Sequence, residues 1–444
     1  AAGRAGEAQA DRTEEATSNR HRTIAEGRTP RTVCLLQLIE PYRWEREADL
    51  NRLVGVDPAI GWFGWSVDML GDRILVGAPE ADTPVSTRGG AYLFERTLDG
   101  WERTHTLLPR DGLPVTPFGV AVGMSERTLV AGQPEMSVDA IRPGVVWVSE
   151  REGPVWAEAD MLSPLQPQDG EKFGRAIEVT DQWLFAGAPN HTVGTGQAAG
   201  RVVVFRWTGD FWTEHQSLFA PMPVSLDRFG TDIACFGDTL VIGAPYGDGM
   251  GVSNSGVGHV FEFDAAADLW TPRPALSSAD ADGGDHIGFS VAVSEFTIAL
   301  GGYGLAAPVT GTSSGAVAVF KPDGAGGWTE VATHYPATGS DLERFGHDVA
   351  LEGGNLWVTS PYADDDPAGI DPIFDSGRAY TIDLECEAPC PIDLSAPFGV
   401  VDVFDFLAFL DLFDRGDPAA DINGDGLFDT FDFLEFLNRF SAGC

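Results

Sequence analysis

Between residues 33 and 384 the apolar positions come in short runs broken by Gly, Pro, Asn and Asp, which predicts strands and tight turns rather than helices. The runs recur in one order. A Trp-led segment such as WERTHTLL (from Trp101) precedes an alternating stretch such as FGWSVDML. A two-residue turn follows, Gly71-Asp72 or Gly237-Asp238, then a continuous apolar run such as RILVGAP, then a strand such as GAYLF or GRVVVF. Gly and Asp tolerate the positive φ that tight hairpins need. The continuous run predicts a central strand covered on both faces, because a strand with one wet face would alternate. Beyond residue 391 the pattern changes to Phe, Leu and Asp at helical spacing, in FDFLAFLDLF (404–413) and FDFLEFLNRF (431–440).

The strand pattern is a repeat. An aromatic-glycine step stands at Phe63-Gly64, Phe118-Gly119, Phe173-Gly174, Phe229-Gly230 and Phe345-Gly346, with Ile287-Gly288 in the gap, at spacings of 55, 55, 56, 58 and 58. Fourteen residues after each aromatic comes Gly77-Ala78-Pro79, Gly132-Gln133-Pro134, Gly187-Ala188-Pro189, Gly243-Ala244-Pro245, Gly301-Gly302-Tyr303 or Thr359-Ser360-Pro361. Trp101, Trp156, Trp212, Trp270 and Trp328 precede the last five steps by 17, and Trp44 precedes the first by 19. A four-stranded meander cannot bury both faces alone, so such units must stack, and radial stacking gives a β-propeller. A solenoid or a pair of sandwiches is the competing all-β architecture. Six blades are expected, with the Trp44 segment completing the blade that ends near Tyr380. Residues 32–40 (TVCLLQLIE) are then a spare strand or part of a seventh blade.

These landmarks resemble the FG-GAP repeat of integrin α-subunit propellers and of many secreted bacterial proteins. Several integrin blades carry an Asp-x-Asp-x-Asp-Gly calcium loop before the apolar run, where this chain has short turns such as Leu70-Gly71-Asp72-Arg73, so calcium within the blades is not implied.

Charge narrows the partners. The 444 residues carry 67 Asp and Glu against 28 Lys and Arg, a formal net charge of -39, which makes nucleic acid and anionic membranes poor partners. No run is long and apolar enough to span a membrane. Residues 1–30 are polar and aperiodic and are expected to be a disordered leader; 31–385 form the propeller, 386–391 a Cys/Pro linker and 392–444 a last domain. In an exported protein Cys390 with Cys444 and Cys34 with Cys386 are possible pairs; buried thiols are the alternative.

The stretch after each Gly-Ala-Pro varies in length, 13 residues from Gly77 to Gly90, 12 from Gly132 to Gly144 and 18 from Thr359 to Gly377, so binding function is expected on that rim. The sixth such loop contains Asp364 and Asp366 as weaker calcium candidates, with a solvated acidic loop as the plainer reading. The histidines show no metal spacing, and no Ser-His-Asp or Cys-His set stands out.

In the last domain DINGDGLFDTFD places Asp421, Asn423, Asp425, the Leu427 carbonyl, Asp429 and Asp432 at positions 1, 3, 5, 7, 9 and 12, with Gly426 at the turn, an oxygen ladder suited to calcium. Twenty-seven residues earlier the loop keeps Asp393, Ser395, Asp402 and Asp405 but has Pro397 in place of an acid, a weaker site. The paired loop-helix repeats ending in Gly-Cys resemble a planctomycete-type dockerin domain. That resemblance implies docking to a cohesin-like or cell-surface scaffold, through an apolar face supplied by the two helices. The resulting expectation is an all-β propeller with a small α-helical calcium-loop domain. It is read as a secreted or cell-surface binding protein, non-catalytic, recognising an extracellular protein or glycan. An extracellular glycan- or lipid-active enzyme on the same scaffold is the alternative.

Overall fold

The computed structural model describes residues 21–26, 32–40, 43–49 and 61–384, the last with short interruptions at 83–87, 110–115, 139–140, 154, 158–159, 306–313, 325, 337–342, 353 and 364–377. It also describes 403–415 and parts of 420–437.

Six antiparallel sheets carry the repeat, each a meander in chain order. The first consists of Ser66–Leu70, Arg73–Asp82, Arg88–Thr97 and Gly100–Leu107. The next four begin at Val122–Met124, Ile177–Val179, Ile233–Phe236 and Ser290–Val293. The sixth has three described strands, Asp348–Glu352, Asn355–Ser360 and Arg378–Asp383. The innermost strands of successive blades lie against one another from the first blade through the fifth. The second strand of the first five blades is buried on both faces, as its unbroken apolar run requires: Thr128–Gln133 and Trp183–Ala188 are buried throughout, whereas Asn355–Ser360 of the sixth blade alternates between buried and part-buried positions. The repeated tryptophans begin the outermost strands, where Trp101, Trp212 and Trp270 are buried.

The two repeat landmarks form one joint. Within a blade, the N–H of the step glycine donates to the carbonyl of the triplet glycine: Gly64 to Gly77 at 3.0 Å, Gly174 to Gly187 at 3.0 Å, Gly230 to Gly243 at 3.0 Å. Between blades, the step aromatic donates its N–H back to the carbonyl two residues before the third strand of the preceding blade, Phe173 to Pro143 at 2.7 Å and Phe229 to Ala199 at 3.0 Å. The triplet glycine packs on the next blade's step so closely that a Cβ on Gly243 would stand 2.0 Å from the Gly288 carbonyl oxygen. The invariant offset is therefore the length of one hairpin that must reach the same neighbour every time.

Gln133, which replaces the triplet alanine in the second blade, has a local cause. Its side chain is buried and accepts a 2.9 Å hydrogen bond from the indole of the fully buried Trp147, while its amide donates to Thr116. The larger residue satisfies a donor that the other blades do not bury there.

Two expectations are corrected. The Trp44 segment does not pair with the strand ending near Tyr380; Arg43–Asp49 pairs with Thr32–Glu40, which pairs in turn with His21–Glu26. The spare apolar strand is thus the centre of its own three-stranded sheet, and the first strand of that sheet lies against Ser66–Leu70. The leader expected over 1–30 accordingly carries a strand at His21–Glu26.

The C-terminal unit has a helix, Val403–Arg415, and helical residues at 432–434 and 436–437. Phe409 and Phe436 stack at 4.5 Å, with Phe406, Phe413 and Phe433 around them, above Ala420 and Ile422. The repeat pairs Phe with Phe inside. Leu407, Leu410, Leu434 and Leu437, also paired by the 27-residue offset, are exposed.

Candidate functional site

A cavity of about 240 Å³ opens where the Gly-Ala-Pro loops emerge, walled by Pro79, Pro134 and Pro189 of three successive blades and by Pro117. Trp62 and Trp65 stack on each other at 5.0 Å along one side and remain 45% and 36% exposed. Lys172, Arg175 and Arg228 line the other.

Trp62, Pro117, Lys172 and Arg228 come from one repeated position, the residue before the step aromatic, which His286 and Arg344 fill in the last two blades; Trp65 and Arg175 directly follow the step glycine. Five of the six have left-handed backbone, with φ of 52°, 65°, 56°, 60° and 58° for Trp62, Lys172, Arg228, His286 and Arg344. A non-glycine residue there costs on the order of 1 kcal/mol. In four blades the preceding residue is a buried acid, Glu171, Asp227, Asp285 or Glu343. Three of these acids fasten the loop: Glu171 accepts from the Gln168 N–H, Asp227 from Val224 and Asp285 from Asp282. Glu171 is further held by Arg201, 2.9 Å away, and by His191 Nδ1 at 2.6 Å. An acid that pins the turn followed by a base that leaves it is the local rule.

The cations continue as a belt of stacked rings. Arg228 lies over Tyr246, Tyr246 against His286, His286 against Tyr303, and Arg344 over both Tyr303 and Tyr362, at 4.7 to 5.4 Å. Tyr303 is pushed up to about 12 by burial and by its hydrogen bond with Tyr246, so it stays a neutral phenol. Among the described residues Lys172 pairs with Glu135, whereas Arg175, Arg228 and Arg344 have no carboxylate within ion-pair distance.

Behind the mouth, acids face one another from the inner strands. Asp68 accepts hydrogen bonds from Met69 and, across the blade boundary, from the Met124 N–H at 2.6 Å; Asp232 accepts from Val291 of the following blade at 2.8 Å. Burial raises the Asp68, Asp232 and Asp348 carboxyls, Asp232 to about 7, and raises Glu178 well above its ordinary value, with the Asp68 and Asp232 charges adding to the last. By surface area Asp68, Glu178 and Asp232 are only part-buried and Asp348 is exposed, so solvent screens part of the desolvation that raises them. The Arg175 charge acts on Asp232 and offsets a small part of the rise.

Of the calcium candidates, Asp421, Asn423, Asp425, Leu427, Asp429, Asp393, Ser395, Asp402, Asp364 and Asp366 lie outside the described residues. Asp432 is buried at the start of its helical stretch, and Asp405 lies on the helix Val403–Arg415. No group of three or more metal-ligating side chains occurs among the described residues. Cys386, Cys390 and Cys444 also lie outside them; Cys235 is a free thiol whose ionisation burial opposes. No helix among the described residues is long and apolar enough to cross a membrane.

The aromatic and basic mouth was not anticipated. Its signal was present in the repeat, as Glu171-Lys172, Asp227-Arg228, Asp285-His286 and Glu343-Arg344 directly before each step, but repeat matching weights the positions that stay constant.

Residues 52–94 and 212–261 match the family model described as FG-GAP repeat. No curated protein matches the chain. Among solved structures, a protein of Bacteroides fragilis provisionally assigned as a 6-phosphogluconolactonase shares 12% identity at a TM-score of 0.50, covering 83% of this chain and 99% of its own. A similarly assigned Bacteroides uniformis protein shares 10% at 0.50, covering 82% and 99%. A Lactobacillus plantarum protein shares 13% at 0.52, covering 82% and 99%. Likeness at such identities is likeness of fold. The chain carries FG-GAP repeats on a six-bladed β-propeller.

Proposed function

We propose that this is a secreted or cell-surface binding protein whose propeller recognises an extracellular ligand, protein or glycan, at the mouth of its axis, without catalysis. The observation that carries the reading is the cavity with two exposed, stacked tryptophans on the face that bears the length-variable loops. Replacing both Trp62 and Trp65 by Ala is expected to weaken capture on a glycan and protein array at least tenfold, with the unfolding midpoint of the propeller unchanged. Full capture by the double variant would remove the mouth from the binding reading.

The competing reading is an extracellular enzyme acting on glycans or lipids. Glycosidic hydrolysis needs two converging carboxylates. The carboxylate lining this cavity is Glu135, which Lys172 already neutralises, and the facing carboxyls of Asp68, Glu178, Asp232 and Asp348 stand at the inner strands outside its lining. Turnover of a lactone or glycan by the purified chain would decide for the enzyme.

The C-terminal unit is read as a calcium-folded, dockerin-like anchor for a cohesin-like or cell-surface scaffold. Support comes from the oxygen ladder beginning at Asp421 and from the exposed Leu407, Leu410, Leu434 and Leu437 beside a phenylalanine core. Calcium would neutralise the clustered carboxylates and fix both helices. Asp421→Ala with Asp425→Ala is expected to abolish the calcium-dependent calorimetric transition of the tail and leave that of the propeller in place. A chelator-insensitive tail in the parent protein would overturn the assignment.

A further inference from the structure

We propose that the ligand of the axial mouth is an acidic saccharide, a uronate-bearing chain whose carboxylate is taken by Arg228 and whose ring lies against the tryptophan side of the cavity. The inference rests on the binding reading above and gives it a chemical class.

Charge is the first argument. In a chain with a net charge of -39, Lys172, Arg175 and Arg228 line one cavity, with Arg344 at the equivalent position of the sixth blade; Lys172 pairs with Glu135 and Arg175 is drawn to Asp232, while Arg228 and Arg344 have no carboxylate within ion-pair distance among the described residues. A cluster of cations confined to a concave, partly dry site focuses positive potential there against the sign of the whole molecule, which selects an anion at the mouth and repels it elsewhere. The stacks of Arg228 on Tyr246 and of Arg344 on Tyr303 and Tyr362 occupy the guanidinium faces and leave the planar N–H edges for a two-point bond to a carboxylate.

Backbone conformation is the second. Glycine would occupy the left-handed position before each step without strain, yet five blades place Trp, Lys, Arg, His and Arg there. The strain is tolerated where the side chain itself is needed.

The walls decide between an acidic sugar and an acidic peptide. Pro79, Pro117, Pro134 and Pro189 offer no backbone N–H, and Trp65, Val120, Arg175, Asn190 and Arg228 spend theirs on carbonyls of this chain, so the wall offers a bound peptide little of a donor ladder. A sugar ring presents C–H faces to proline and indole, and hydroxyls and a carboxylate to the charged side. A cavity of about 240 Å³ lies just below the roughly 300–1,000 Å³ of sites that enclose drug-sized ligands, which suits one sugar unit with its neighbours extending onto the belt.

The test uses the full chain and calorimetric titration with galacturonate, mannuronate and glucuronate trimers, the methyl ester of whichever binds, and an aspartate hexapeptide. At least one uronate trimer should bind, its ester should bind at least tenfold more weakly, and affinity should fall about tenfold from low to high salt. Arg228→Gln should cost about tenfold for the acid and little for the ester, while Arg273→Gln, just past the end of an outer strand and paired with Glu262, should change nothing. Equal affinity for acid and ester, or for the hexapeptide, overturns the proposal. If no uronate binds but neutral glycans or proteins on the array do, the saccharide class is wrong and the binding reading stands; if nothing on the array binds, both fall. Should Arg228→Gln fail to fold, the ester and salt comparisons on the parent chain decide.

Discussion

Gly243→Ala is expected to lower the unfolding midpoint of the propeller sharply, at a cost of about 3 kcal/mol or more, although it adds one methyl group to a residue with ordinary backbone. The added Cβ would meet the Gly288 carbonyl oxygen at 2.0 Å and its carbon at 3.0 Å. Both are backbone atoms of the next blade, so no side chain can turn aside; the fourth and fifth sheets must separate along their whole inner edge. The N–H of Gly230 donates to the Gly243 carbonyl, so the same displacement strains the joint within the blade. Gly237→Ala is the control: its φ of 58° makes alanine unfavourable by about 1 kcal/mol, but nothing stands within 4 Å of the new methyl. Chemical denaturation of both variants measures the difference. A Gly243→Ala midpoint at or above that of Gly237→Ala would show that the blades are not held at this contact.

The same contact explains how far the sequence could be read. Phe63-Gly64 and Gly77-Ala78-Pro79 recur at a fixed offset because backbone meets backbone there, where sterics admit one solution in every blade. The strand order, the buried second strands and the outer-strand tryptophans follow from those fixed points and from binary patterning. The mouth was hidden for the complementary reason. Lys172, Arg228 and Arg344 stand at a position whose backbone is constant and whose side chain is free to vary, so the column looks like noise beside the conserved step. The failure at Trp44 is also instructive. Its offset of 19 rather than 17 marked it as different, and the apolar strand 32–40 needed neighbours on both edges, which its own flanking segments supply. In the last domain helical spacing identified the apolar face but not its division. Phe406, Phe409, Phe433 and Phe436 turn inward because stacked rings fill the small core, and the adjacent leucines are left outside.

Stability should rise, not fall, as the pH is lowered from 8 to 5. Asp232 has an ordinary carboxyl value of 3.8 when unfolded and about 7 when folded, because burial between inner strands penalises its charge more than the Val291 N–H and Arg175 compensate. From about pH 4 to 7 the folded chain therefore holds a proton that the unfolded chain has released, and the unfolding free energy declines with rising pH across that window. Asp68, Glu178 and Asp348 are displaced in the same direction, and Glu178 and Asp232 each feel a neighbouring acid as further repulsion. Their part-exposure to solvent screens part of this, so the gain on acidification for Asp232 is on the order of 2–4 kcal/mol rather than the full linkage value, with the other three adding in the same direction. Asp232→Asn keeps an acceptor for the Val291 N–H and removes the ionisation. It should leave the midpoint near pH 5 close to that of the parent, raise it at pH 8, and flatten the profile between. Denaturant midpoints of both proteins at the two pH values measure this. A parent chain that is more stable at pH 8 than at pH 5, with Asp232→Asn following it in parallel, would mean that these carboxylates are fully hydrated and that the inner strands do not enclose them.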